Sequence, residues 1–166
     1  MKNYTKARLL ADIEFLSTDK VWNTYTRSAL ELRWAEFTKN AVCVVYMDID
    51  HMHDLNSKYG HSGTDNRIKE VIAKVRHTGK GRIGDIVASR WLNGDEVIFI
   101  LNSGECELFC KRMQREFKRV GISVTMAYTN RITDNPFTTI DPCDTQVNQY
   151  KRVDMRGVII PVYKES

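Results

Sequence analysis

Hydrophobic positions along the chain switch between two periods. Leu9, Leu10, Ile13 and Leu16 recur at helical spacing over residues 4–16, and Leu30, Trp34 and Phe37 repeat that spacing over 27–39. Residues 41–48 then form an unbroken apolar run closing on Asp48, which reads as a strand. A short polar segment, 51–60, ends at Tyr59-Gly60. Over 65–77 the helical period returns with Ile68, Val71, Ile72 and Val75, and Thr78-Gly-Lys-Gly81 stops it.

Residues 83–92 and 96–101 read as strands around Asn93-Gly94, a pair that tolerates positive φ and marks a hairpin. Ser103 is placed to cap the next helix, with Glu105 and Glu107 in its first turn. Cys106, Phe109, Cys110, Met113 and Phe117 form that helix's inner face. Ile122 to Tyr128 is a strand, and 130–142, holding Pro136 and Pro142, reads as a loop. A short helix near 143–152 and a strand near 157–163 close the chain. A strand, a helical crossover, a hairpin, a helix and a strand predict an α/β (α+β) fold of ferredoxin-like palm type. Its central sheet, mostly antiparallel and of about five strands, is flanked by helices.

The 166 residues suffice for one domain with a real core. No apolar run approaches the roughly 20 residues that span a bilayer, and the N-terminus lacks the apolar core of a signal peptide. The four cysteines form no Cys-x-x-Cys pair, which predicts buried reduced thiols in a cytoplasmic protein. A net charge of +4 suits an anionic ligand. The basic residues are scattered along helices rather than gathered beside aromatics, so neither nucleic acid nor membrane is expected as a partner.

Acidic residues sit where those strands end. Asp48 and Asp50 close the first strand on one side of it, and Asp95-Glu96 follow the Asn93-Gly94 turn. Carboxylates brought together over one site repel unless cations lie between them. Oxygen ligands without histidine or cysteine partners favour Mg²⁺ or Mn²⁺, holding a nucleoside triphosphate.

The run Asp48-Ile-Asp-His-Met-His-Asp-Leu-Asn56-Ser-Lys-Tyr-Gly60-His61-Ser-Gly-Thr-Asp65 resembles the signature of GGDEF-domain diguanylate cyclases, Asp-Ile-Asp-x-Phe-Lys-x-Ile-Asn-Asp-x-x-Gly-His-x-x-Gly-Asp. Asn93-Gly-Asp-Glu-Val97 stands where that family has Gly-Gly-Asp/Glu-Glu-Phe. Asp19-Lys-Val-Trp-Asn-Thr-Tyr-Thr-Arg27 is similar to its opening motif, Asp-x-Leu-Thr-Gly-Leu-x-Asn-Arg. The resemblance covers roughly residues 19–160. It implies an N-terminal helix over 1–18 and a GGDEF-like nucleotide cyclase domain over 19–166.

The resemblance implies the following roles. Asp48, the Ile49 carbonyl, Asp95 and Glu96 would hold two divalent ions, with Asp95 or Glu96 helping to deprotonate a 3′-hydroxyl. Asn56 and Asp65 would bind the guanine edge, since a carboxylate accepts from guanine N1–H and its exocyclic amine and adenine offers no such pair. His53, Asn93, Gly94, Lys151, Arg152 and Arg156 would contact the nucleotide, and Arg82 with Asp85 resembles the product-inhibition site. Two copies would each bring one GTP, and each 3′-hydroxyl would attack the other α-phosphate, releasing pyrophosphate and giving cyclic di-GMP. A homodimer is then required for catalysis.

The chain departs from the pattern at several places. Asn93 replaces a glycine, Val97 the phenylalanine, His53 the lysine and Thr64 a glycine, and seven residues separate Asp85 from Asn93 instead of five. Two other readings follow: a degenerate domain that binds GTP or cyclic di-GMP without turnover, and a defence-associated cyclic oligonucleotide synthase using ATP or GTP.

Overall fold

A computed structural model describes residues 5–77 and 86–162. In chain order the elements are α1 (Lys6–Ser17), β1 (Thr18–Asp19), β2 (Thr24–Tyr25), α2 (Arg27–Leu32), α3 (Trp34–Thr38), β3 (Cys43–Ile49) and α4 (Met52–His77). After the undescribed 78–85 come β4 (Ile86–Arg90), β5 (Glu96–Leu101), α5 (Cys106–Arg119), β6 (Val124–Thr129), α6 (Pro136–Arg152) and β7 (Ile159–Pro161).

The strands form one sheet in the order β1-β2-β4-β5-β3-β6-β7. β3 lies in its interior, antiparallel to both β5 and β6, with Asp48 opposite Glu96 on one side and Thr125 on the other. Alternation along β3 sends side chains into two cores. Cys43, Val45, Met47 and Ile49 pack with Ile68, Val71 and Ile72 of α4 and with Phe109, Met113 and Phe117 of α5. Val44 and Tyr46 pack on the opposite face with Leu30, Trp34, Phe37 and the α6 residues Ile140, Cys143 and Val147. Both faces are covered, which is why β3 is apolar without interruption until Asp48.

The seven strands exceed the expected five or so because β1 and β2 are two residues each, too short to carry a period. The expected helix over 27–39 divides at Arg33 (φ −104°, ψ 15°). The expected segments 51–60 and 65–77 correspond to two helical stretches of α4 that meet at Gly60, whose φ 73° and ψ 161° are non-helical and lie in a region open to glycine. Much of the expected loop over 130–142 is helix. Asn135 caps α6 by accepting from the Phe137 and Thr138 amides, and Pro136 takes the first helical position, where its missing N–H costs nothing. The cap of α5 is Glu105 rather than Ser103.

The cysteine expectation is also corrected. The first turn of α5 lies over β3 and brings Cys106 to Cys43, with which it forms a disulfide at a Cα–Cα distance of 6.0 Å. Cys110 and Cys143 are free and buried, and burial pushes both thiols up to about 12. α1 buries none of its residues, leaving Leu9, Leu10, Ile13, Phe15 and Leu16 exposed. Among the described residues no helix is long and apolar enough to cross a membrane.

Candidate active site

The β4–β5 connection is longer than a two-residue hairpin. The ladder closes at Arg90 opposite Val97, and the Trp91 amide donates to the Glu96 carbonyl at 3.2 Å. Gly94 alone in this turn has positive φ, 87°, so Asn93 does not need the left-handed freedom that its sequence position suggested. Asn93 instead holds Glu96. The Glu96 Oε1 accepts from Asn93 Nδ2 at 3.0 Å, and Oε2 accepts from the Leu92 and Asn93 amides at 3.1 and 3.2 Å. Glu96 is therefore folded back over its own turn and buried.

Asp48 ends β3 beside that turn, and the neighbouring Ile49 amide donates to the Asp95 carbonyl at 3.0 Å. Lys151, in the last turn of α6, reaches Asp48 Oδ2 at 2.8 Å and Asp50 Oδ1 at 3.9 Å. Asp48 Oδ1 is buried and has no hydrogen-bond partner among the described residues. Burial pushes the Asp48 carboxyl up to about 6; Lys151 opposes the rise, and Asp95 and Glu96 add to it. Burial likewise raises Asp95.

Asp50 shares the side of β3 with Asp48 but serves the fold. Its Oδ2 accepts from Ser123 Oγ at 2.6 Å and the Gly157 amide at 3.2 Å, and its Oδ1 accepts from Thr125 Oγ1 at 2.8 Å. It ties β3 to the entrance of β6 and to the connection between α6 and β7.

A cavity of about 320 Å³ opens beside the turn, lined by Asn56 and Asp65 of α4, by Asn93, Gly94 and Asp95, and by Asp19, Trp22 and Arg90. Five expected nucleotide or metal residues thus converge, with Asp48 and Lys151 linked to them through Asp95. Among the other expected residues, His53 is exposed on the first turn of α4 and Arg152 is exposed at the end of α6. Arg156 pairs with Asp154 at 2.6 Å. Arg82 and Asp85 lie outside the described residues. Sequence reasoning missed Trp22 and Arg90. Asp19 and Trp22 stand in the opening motif, but nothing in the spacing tied that motif to Asp65.

No three His, Cys, Asp or Glu side chains among the described residues are grouped to hold a metal. Mg²⁺ in nucleotide enzymes takes one or two carboxylates and fills its octahedron with water and substrate phosphates. Asp48 with its unpartnered oxygen, beside Asp95, is a donor set of that kind, so the residues present fit such an ion.

The family model described as "Diguanylate cyclase, GGDEF domain" matches residues 21–140. Diguanylate cyclase SiaD of Pseudomonas aeruginosa, solved with its activator SiaC, is similar with a TM-score of 0.69 at 17% identity, over 93% of this chain and 67% of that one. A microbial GGDEF domain solved for its interaction with cyclic di-GMP gives 0.68 at 16% identity, over 88% of this chain and 99% of its own. The S helix-GGDEF-EAL portion of Vibrio cholerae LapD, bound to c-di-GMP, gives 0.71 at 14% identity; it is covered over 41%, against 97% of this chain. At these identities the likeness is one of fold. No curated protein matches the chain.

Proposed function

The chain belongs to the GGDEF domain family of diguanylate cyclases, and from that membership we propose that it condenses two GTP into cyclic di-GMP and pyrophosphate across a homodimer. The observation that carries this reading is the convergence of Asn56, Asp65, Asn93, Gly94 and Asp95 on one cavity, beside the Asp48–Lys151 pair. Asn56 and Asp65 offer hydrogen-bond partners for a guanine edge at one end. Asp48 and Asp95 supply the carboxylates at the other.

Asp48 and Asp95, with the Ile49 carbonyl, would hold Mg²⁺ or Mn²⁺, which neutralises phosphate charge and acidifies the attacking hydroxyl. Lys151 compensates Asp48 when no ion is bound and is placed to turn toward a phosphate when one is. Asp95 is partly exposed and raised by burial, which suits it to accept the 3′-hydroxyl proton. The Gly94 backbone offers close approach to a phosphate, as it has no side chain to obstruct one.

The test is incubation of the protein with GTP, ATP and both, in Mg²⁺ and then Mn²⁺, with products identified by mass spectrometry and Asp95→Ala run in parallel. Cyclic di-GMP from GTP alone, lost in the variant, supports the reading. An adenine-containing product would assign the chain to the defence-type synthases instead.

A second reading, binding without turnover, is favoured by the capture of Glu96. With both carboxylate oxygens engaged by the turn, the second acid of the motif is withheld from the metals. Tight GTP or cyclic di-GMP binding with no product would establish that reading.

A further inference from the structure

Trp22 is a buried residue in the wall of the nucleotide cavity, 1% exposed, and its indole is not used merely as filling. The Nε1–H donates to Asp65 Oδ1 at 2.9 Å across 43 residues of chain. Asp65 Oδ2 accepts no hydrogen bond among the described residues. The backbone that presents Trp22 is itself fixed, because Asp19 Oδ1 accepts from the Val21 and Trp22 amides, each at 3.0 Å. Behind the indole lies Arg90, whose guanidinium carbon sits 3.5 Å from the ring centroid. Arg90 also donates through Nη2 to the Gly94 carbonyl and approaches Asp19 through Nη1 at 3.7 Å.

These contacts make one connected line: Asp65, Trp22, Arg90, Gly94. We propose that Trp22 sets the purine preference of this site by fixing Asp65 through the indole N–H, and that Arg90 holds Trp22 in place against the catalytic turn. The inference rests on the assignment of Asp65 to the base.

A free carboxylate rotates about its terminal torsion and presents either oxygen, or a water, to whatever base arrives. With Oδ1 occupied by the indole, the plane of the carboxylate is set and one oxygen, Oδ2, is left for a base in the cavity that Asp65 and Asn56 both line. Guanine brings two donors to that edge, N1–H and the exocyclic amine, which match one acceptor from Asp65 and one from the Asn56 amide. Adenine brings an unprotonated N1, which would meet Oδ2 lone pair to lone pair. Desolvated sites that hold a polar group unpaired reject the wrong base, and a fixed acceptor rejects it more strongly than one free to turn away. In the motif quoted above, threonine stands at the position of Trp22, so this means of fixing the carboxylate is a departure from that motif.

Trp22→Phe keeps a buried ring under Arg90 and removes only the donor. Binding of GTP and ATP, each as the 3′-deoxy analogue that lacks the attacking hydroxyl, is measured by calorimetry with Mg²⁺ on the wild type, Trp22→Phe, Trp22→Tyr and Asp65→Asn. The expected result is about a tenfold loss of GTP affinity in Trp22→Phe, the scale of one hydrogen bond to a charged group. ATP affinity rises, because the freed carboxylate can turn its lone pairs away from adenine N1, and Trp22→Tyr, whose hydroxyl can donate, recovers part of the preference. A loss shared equally by both nucleotides, or none, overturns the inference and leaves Trp22 a packing residue. If Asp65→Asn also leaves the preference for GTP untouched, the assignment of Asp65 to the base fails with it. Should Trp22→Phe not fold, the wild-type protein carries the test. The Trp22 indole N–H resonance should shift on titration with GTP and not with ATP, and an unmoved resonance at saturating GTP overturns the inference.

Discussion

Asp48 has two unequal oxygens, one bound to Lys151 and one buried with no partner. The unequal pair has a measurable signature in pH. The folded carboxyl keeps its proton up to about 6, while the unfolded chain releases it near the ordinary 3.8. Between those values the folded state binds more protons, so stability falls as pH rises through that window. In chelator, the wild type should lose melting temperature relative to Asp48→Asn between about pH 4 and pH 6; a constant difference would show that the carboxyl is not held in this way. Lys151 is the counterpart. Lys151→Met leaves Asp48 and Asp50 without their nearest cation and should cost about 3 kcal/mol in urea denaturation with chelator present. Mg²⁺ should then stabilise this variant more than it does the wild type. That Asn56, Asp65 and Asp95 come to one cavity, with Asp48 beside it, was legible in the sequence because their spacing is fixed by short, continuous segments. The capture of Glu96 was not, because it depends on the length of the β4–β5 turn and on where the Asn93 amide points. Trp22 was not, because its partner lies 43 residues away.

At the scale of elements, two devices bring distant segments to the site. The first is the break at Gly60 in α4, which places Asn56 on the helical stretch before the bend and Asp65 on the stretch after it. A Cβ at Gly60 would meet nothing within 4 Å, so the cost of Gly60→Ala comes from its φ of 73° alone. That cost should be about 1–3 kcal/mol by chemical denaturation. The second is Asp50, which joins β3, β6 and the start of the α6–β7 connection. Asp50→Asn weakens all three ties, and hydrogen exchange at the Gly157 amide should speed up by about tenfold or more while exchange in the interior of β5 changes less. The strong helical and strand periods located β3, α5 and β5 correctly. α6 was shortened because Pro136 and Pro142 read as loop, although a proline at the first helical position is a start signal once Asn135 is recognised as its cap. β1 and β2 gave no signal, since two residues have no period and their pairing is decided wholly by tertiary contact.

Across the whole molecule, the sheet separates two hydrophobic layers. α4 and α5 share one with Cys43, Val45, Met47 and Ile49, while α2, α3 and α6 share the other with Val44 and Tyr46. Cys43 and Cys106 link β3 to α5 inside the first layer. Alkylation of the denatured, unreduced protein should therefore modify two cysteines, and reduction should raise the count to four. The fold class was readable because it depends on the order of periodic segments; the cross-link was not, because no spacing rule pairs a strand cysteine with one 63 residues later. The site itself straddles the division. Asn56 and Asp65 belong to the α4 layer, and Lys151 belongs to α6 in the other. On the proposed reading, a nucleotide gripped at its base by one and at its phosphates by the other would act as a rivet through the sheet's edge. Its affinity then reports how the layers are seated, and exchange in α4 and α6 should slow together when GTP binds. Whatever pries the layers apart would then loosen the rivet, so a contact on the back of either layer would weaken nucleotide binding without approaching the site.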